Sequence, residues 1–184
     1  MALTHTPPGE IGFQCPDFNL PSVEGKNLSL KDLKNGNPFV VMFICNHCPY
    51  VLAIEDRLIA LGHDLKKLNV NILGISSNDE ISYPEDSFDK MKARAESKSY
   101  TFHYAQDKSQ EVAKAFGAVC TPDFFVFDKE ARLAYRGRLD DSWKDPSLVN
   151  QRELFNAVKL LLAGQNSVQP QNSSMGCSIK WIKS

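Results

Sequence analysis

The chain has 184 residues, enough for one domain with a buried core, and 42% of them are hydrophobic, an ordinary globular share. Lys plus Arg number 21 against 22 Asp plus Glu, a formal net charge of −1. The basic residues are scattered rather than striped, so neither nucleic acid nor an anionic membrane is an expected partner.

The longest apolar run, residues 38–45, is too short to span a bilayer. Residues 1–8 lack a basic patch and an apolar h-region, so no signal peptide is expected and the default compartment is the reducing cytoplasm. Five cysteines, at 15, 45, 48, 120 and 177, make an odd and uneven set, unlike a secreted disulfide scaffold.

In chain order, residues 1–9 read as a flexible leader. Residues 13–20 and 26–30 flank a turn at 21–25 and predict a hairpin. A helical turn near 30–33 and an Asn35-Gly36-Asn37 turn follow. Residues 39–44 are continuously apolar, as in a central strand covered on both faces. From Pro49, which the first helical turn tolerates, Val51, Leu52, Ile54, Leu58, Leu61, Leu65 and Leu68 recur at three- and four-residue steps. A strand at 70–76, a polar loop at 78–86, a charged helix at 88–97 and a strand at 101–105 come next.

Asp107 and Gln110 have capping-box spacing for a helix ending at Gly117, as do Asn150 and Glu153 for one ending at Gly164. Between them, 123–128 and 132–136 predict a second hairpin. Residues 165–174 are polar and loop-like, whereas 175–181 regain apolar content. The domain therefore spans 10–164, with a tail at 165–184. Its order implies an α/β fold whose mixed central sheet, parallel first and then antiparallel, is flanked by helices.

Between the central strand and the long helix stands Cys45-Asn46-His47-Cys48-Pro49. A Cys-x-x-Cys there suits thiol–disulfide exchange, because the N–H groups at a helix start favour a thiolate. A structural disulfide or half of a metal site are competing readings. In the redox reading Cys45 is the exposed attacking thiolate and Cys48 the buried resolving thiol. His47 either lowers a thiol pKa as imidazolium or simply faces solvent. As metal ligands, Cys45, His47 and Cys48, with Cys120 as a further donor, suit Cu(I) or Zn, while His5, His63 and His103 offer no obvious fourth ligand.

The second informative stretch is Cys120-Thr121-Pro122-Asp123-Phe124-Phe125-Val126-Phe127. Proline at the opening of an apolar strand belongs at a first position or a bend. With the Cys-x-x-Cys, this resembles the thioredoxin superfamily, in which a cis-proline faces the redox pair. That resemblance implies that Thr121 and Pro122 border the site.

Gly12-Phe13-Gln14-Cys15-Pro16-Asp17-Phe18 and Gly25-Lys26 resemble the N-terminal hairpin extension of the alkyl-hydroperoxide-reductase/thiol-specific-antioxidant (AhpC/TSA) group. Tyr135-Arg136-Gly137-Arg138-Leu139-Asp140-Asp141 and Met175-Gly176-Cys177-Ser178-Ile179-Lys180-Trp181 are similar to its peroxiredoxin-like 1 subgroup. The resemblance implies a thioredoxin-like fold and a thiol–disulfide oxidoreductase, or alternatively a thiol peroxidase. Its partners would be a disulfide or peroxide substrate and a reductant such as thioredoxin or glutathione, with no cofactor.

The peroxiredoxin constellation is incomplete. With Cys48 as peroxidatic cysteine, Cys45 takes the Thr/Ser place, Val41 the proline place and Pro122 the arginine place, leaving Arg136 or Arg138 as substitutes from elsewhere. Ile44 and Met42 likewise replace thioredoxin's tryptophan and buried acid, so the resolving step needs another base. Cys120 either faces the pair or is a small core thiol. Cys177 is either an extra resolving thiol or part of a tail docked by Ile179 and Trp181. Cys15 reads as inert core.

Overall fold

The computed structural model describes residues 3–165 and 170–183. Its elements are β1 (Leu3–His5), β2 (Asn19–Pro21), β3 (Asn27–Ser29), α1 (Leu30–Leu33), β4 (Phe39–Phe43), α2 (Pro49–Lys67), β5 (Asn71–Ser76), α3 (Phe88–Ser97), β6 (His103–Gln106), α4 (Glu111–Phe116), β7 (Cys120–Thr121), β8 (Asp123–Phe127), β9 (Leu133–Gly137), α5 (Glu153–Leu162) and β10 (Met175–Ser178).

Every residue of β4 is buried, as a strand covered on both faces requires. It lies mid-sheet in the order β6-β5-β4-β8-β9, parallel to β5 and antiparallel to β8. Its side chains alternate between two cores. Val40 and Met42 join the apolar faces of α2 and α5, while Phe39, Val41 and Phe43 join Phe116, Phe125, Phe127 and the N-terminal Phe18 and Leu28. The expected mixed sheet flanked by helices is present. Among the described residues no helix is long and apolar enough to cross a membrane.

The hairpin of β2 and β3 is shorter than its sequence suggests. Residues 13–15 instead run beside the chain entering β9, where Cys15 N–H donates to Ala131 O and Leu133 N–H to Phe13 O, both at 2.8 Å. Pro16, with no N–H, cannot extend that pairing.

Neither expected capping box forms. Gln110 precedes α4 in the left-handed region, φ 64°. Its side chain donates to Ser77 O at 2.7 Å and Lys180 O at 2.9 Å and accepts from Ile182 N–H at 2.8 Å. A side chain holding the C-terminal tail cannot also close a cap. Arg152, not Asn150, is the N-cap of α5, and Glu153 instead forms a bidentate pair with Arg138.

Leu3–His5, read as leader, is a strand. β10 lies between β1 and β7 in a second, antiparallel sheet that pairs Leu3 with Cys177 and Cys177 with Thr121. Ile179 docks the tail by entering the core, whereas Trp181 remains 39% exposed. The polar stretch expected at 165–174 falls partly on 166–169, outside the described residues. Beyond it, Gln171 Oε1 accepts Arg136 N–H at 2.7 Å and Asn172 O accepts Arg138 N–H at 2.8 Å.

Asp123, fully buried at the start of β8, binds Arg136 of β9 through two hydrogen bonds of 3.2 and 2.8 Å. The guanidinium also donates to Gly117 O and lies over the Phe125 ring. Removing one member of a buried pair strands the other charge. Asp123→Asn is therefore expected to lower stability by about 3 kcal/mol. Equilibrium urea unfolding measures this, and an unchanged midpoint would refute it.

Candidate active site

α2 starts at Pro49, so Cys48 is its N-cap and residues 45–47 lie in the bend before it. Proline at the first helical position has no N–H to leave unsatisfied, which favours a helix start here. The thiolate-favouring position thus falls on Cys48 rather than Cys45. Cys45, expected to be exposed, is 3% exposed, and Cys48 is 0% exposed.

The Thr121–Pro122 peptide is cis, as the resemblance implies. Thr121 is the hub of the site. Its hydroxyl lies 3.4 Å from Cys45 Sγ, its carbonyl accepts from Cys48 Sγ at 3.1 Å, and its backbone pairs with Cys177. Successive strand residues point to opposite faces, so Cys120 is directed away from the pair. It is fully buried, donates to Pro122 O at 3.6 Å, and is pushed well up in pKa by burial and then by Asp123. Cys120 is a core thiol. So is Cys15, which burial raises to about 12. None of the five cysteines is paired in a disulfide.

The Cys48 pKa is lowered to about 4. The Cys45 thiol contributes most, by hydrogen-bonding to it; burial opposes this, and the Thr121 side chain and the amides of Cys177 and Val51 add further lowering. No regular side-chain cap closes the helix at Cys48. The Thr121 carbonyl favours the protonated sulfur, but it is one acceptor against several donors. Cys45 moves the opposite way, raised well above the ordinary thiol value by that same hydrogen bond, by burial and by the charge of Asp86.

His47 Nδ1 lies 2.6 Å from Asp86 Oδ2. An ionised carboxylate only accepts, so Nδ1 is assigned the proton. Asp86, 0% exposed, also accepts from Asn46 N–H and Asn78 Nδ2, each at 2.8 Å. His47 is therefore neither an isolated imidazolium nor a ring in open solvent, and it stacks on Tyr83 at 5.3 Å. Any positive charge on it faces the carboxylate that raises Cys45.

Cys45 Sγ, a His47 ring nitrogen and an Asp86 oxygen lie within 4.8 Å of one another, a donor set able to hold a cation. The ligand set read from sequence differs: Cys48 and Cys120 lie outside this group. Asp86 escapes sequence reading because it stands in a polar loop 39 residues after His47, with no spacing to tie them. Arg136 and Arg138, the candidate substitutes for a peroxide-binding arginine, are paired with Asp123 and Glu153.

The crystal structure of an uncharacterized conserved protein from Geobacillus kaustophilus matches with TM-score 0.95 and 41% identity, over 100% of this chain and 98% of that one. The thiol-disulfide oxidoreductase ResA of Bacillus thuringiensis subsp. konkukian (strain 97-27) is 27% identical over 126 residues, 67% of each chain. A thiol:disulfide interchange protein of the thioredoxin family from Chlorobium tepidum TLS shares the fold, with TM-score 0.64 and 18% identity over 85% of this chain and 98% of that one. The AhpC/TSA family model matches residues 11–136. This protein is an oxidoreductase of thioredoxin-like fold and belongs to the AhpC/TSA family.

Proposed function

We propose that the chain is a thiol–disulfide oxidoreductase in which Cys48 attacks and Cys45 resolves, the reverse of the order read from the motif. The supporting observation is Cys48 at the helix N-cap, with its pKa lowered chiefly by hydrogen bonding with Cys45. One sulfur is then charged at neutral pH while its neighbour holds a proton.

The Cys48 thiolate attacks a substrate disulfide RS–SR′, forming Cys48–S–S–R and expelling R′S⁻. Cys48 is now neutral, and its thiolate no longer holds Cys45 protonated. The Cys45 proton passes to the His47–Asp86 pair, the base that the replacement of thioredoxin's buried acid by Met42 leaves to be found. Cys45 sulfur attacks Cys48, expels RS⁻ and leaves a Cys45–Cys48 disulfide. The substrate gains two electrons and the dithiol loses two; a thiol reductant such as thioredoxin or glutathione restores it. The similarity to the thiol-disulfide oxidoreductase ResA supports the reaction class.

A lowered Cys48 pKa also favours a second reading, a thiol peroxidase, with the family's peroxidatic cysteine set on Cys48. The commitment of Arg136 and Arg138 to carboxylates counts against it.

Three outcomes are expected. Cys48→Ser abolishes release of thiol from a chromogenic aromatic disulfide, while Cys45→Ser still releases the first equivalent; the opposite pattern returns the attack to Cys45. The thiolate ultraviolet absorbance of the native protein falls as pH drops through about 4, in a step missing from Cys48→Ser. Because the folded pKa is depressed, this group's contribution to stability is fully present above the unfolded value and lost as pH falls towards about 4. Finally, a Cβ at Gly176 would run into the Thr121 carbonyl. Gly176→Ala should loosen β10 and speed Cys48 alkylation about tenfold, within the usual ~1–3 kcal/mol of overpacking. An unchanged rate would show that β10 is not the barrier.

A further inference from the structure

We propose that Cys177 is a third redox thiol of this site, resolving the Cys48 mixed disulfide from the tail strand and closing a Cys48–Cys177 disulfide. The inference rests on the reading of Cys48 as the attacking sulfur.

Its basis is the register of β10. Residues directly opposite in an antiparallel ladder share a face. Thr121 reaches Cys45 Sγ from that face, and Cys177 stands opposite Thr121. Cys177 is 3% exposed, and its thiol and its amide both bond to Cys48. Gly176 permits the close approach, because any side chain there would meet the Thr121 carbonyl.

The strand is held on both sides of Cys177. Ser174 Oγ donates to Pro122 O at 2.8 Å before it. After it, Ile179 N–H donates to Val119 O at 3.1 Å and Lys180 N–H to Asn78 Oδ1 at 2.8 Å. A thiol so placed returns to the same point above Cys48 each time the tail closes.

The charges around the two resolving candidates differ. Cys45 lies beside Asp86, whose field opposes its ionisation, whereas Cys177 is eased by Lys180. Burial comes first in raising Cys177 to about 11, followed by its hydrogen bond to Cys48 and the charge there. Capture of a substrate group neutralises Cys48 and removes the last two.

With oxidised glutathione as oxidant, β10 lifts and the Cys48 thiolate forms Cys48–S–S–G, expelling one glutathione thiolate. β10 returns, Cys177 gives its proton to water, and its sulfur displaces the second glutathione thiolate from Cys48. One disulfide is reduced, two protein thiols are oxidised, and the new bond pins the tail over the site until a reductant opens it.

Trypsin places Cys45 and Cys48 together in peptide 35–57 and Cys177 in peptide 160–180, so the two disulfides give different products. The full chain and its Cys45→Ser, Cys177→Ser and Cys177→Ala variants are treated with oxidised glutathione, blocked in acid, digested without reductant and mapped by mass spectrometry. The proposal expects the 35–57/160–180 cross-linked pair in wild type and in Cys45→Ser, with loss of that pair in both Cys177 variants. Glutathione retained on Cys48 of Cys45→Ser, with no cross-linked pair, overturns the role of Cys177 and leaves Cys48 as attacker. No glutathione on Cys48 in any variant and no disulfide to it overturns the attack itself, and this inference with it.

Discussion

A sulfur without solvent exposure can carry charge only where the protein supplies the hydrogen-bond donors that water would have provided. Cys48 meets that condition at the junction of three pieces of chain: the first turn of α2, the β7 bend and the tail strand β10. The helix supplies the Val51 amide, the bend the Thr121 side chain, and the tail the Cys177 amide and thiol. The largest contribution comes from Cys45, and the hydrogen bond between the two halves of the motif lowers the pKa of Cys48 while raising that of Cys45.

The same arrangement makes the tail part of the site rather than an appendage. β10 donates to the buried Cys48 through the Cys177 amide. Its support reaches across the pair: Asn78 accepts from Lys180 N–H in the tail and donates to Asp86, which in turn holds His47 and Asn46 beside Cys45. Gln110 adopts a left-handed backbone while its amide ties Ser77 to the tail carbonyl of Lys180. β10 pairs with β7 through two residues, and the tail beyond it is docked by the buried Ile179.

Much of the framework is readable in the chain because it follows from local pattern. The all-apolar run at 39–44 announces a strand covered on both faces, and the three- and four-residue spacing from Val51 announces α2. The thiol motif falls between them because of where they end. Proline at 49 also marks the helix start, and read strictly it already places Cys48, not Cys45, at the N-cap. The capping boxes mislead for the opposite reason. Spacing states what Gln110 and Glu153 can do locally, while tail carbonyls and Arg138 compete for the same side chains from distant parts of the chain.

Taken alone, the amino-acid sequence determined the α/β framework, the strand-to-helix placement of Cys45-Asn46-His47-Cys48 and the proline bend at Pro122, since each depends on neighbours a few residues apart. Tertiary structure decided in which direction each sulfur's pKa moves, that Asp86 accompanies His47, that Cys120 is directed away from the pair and that Cys177 stands opposite Thr121 and bonds to Cys48. These outcomes depend on burial, strand register and charges brought together from widely separated segments. Hydrogen bonding and desolvation act through space, so no local spacing rule carries them.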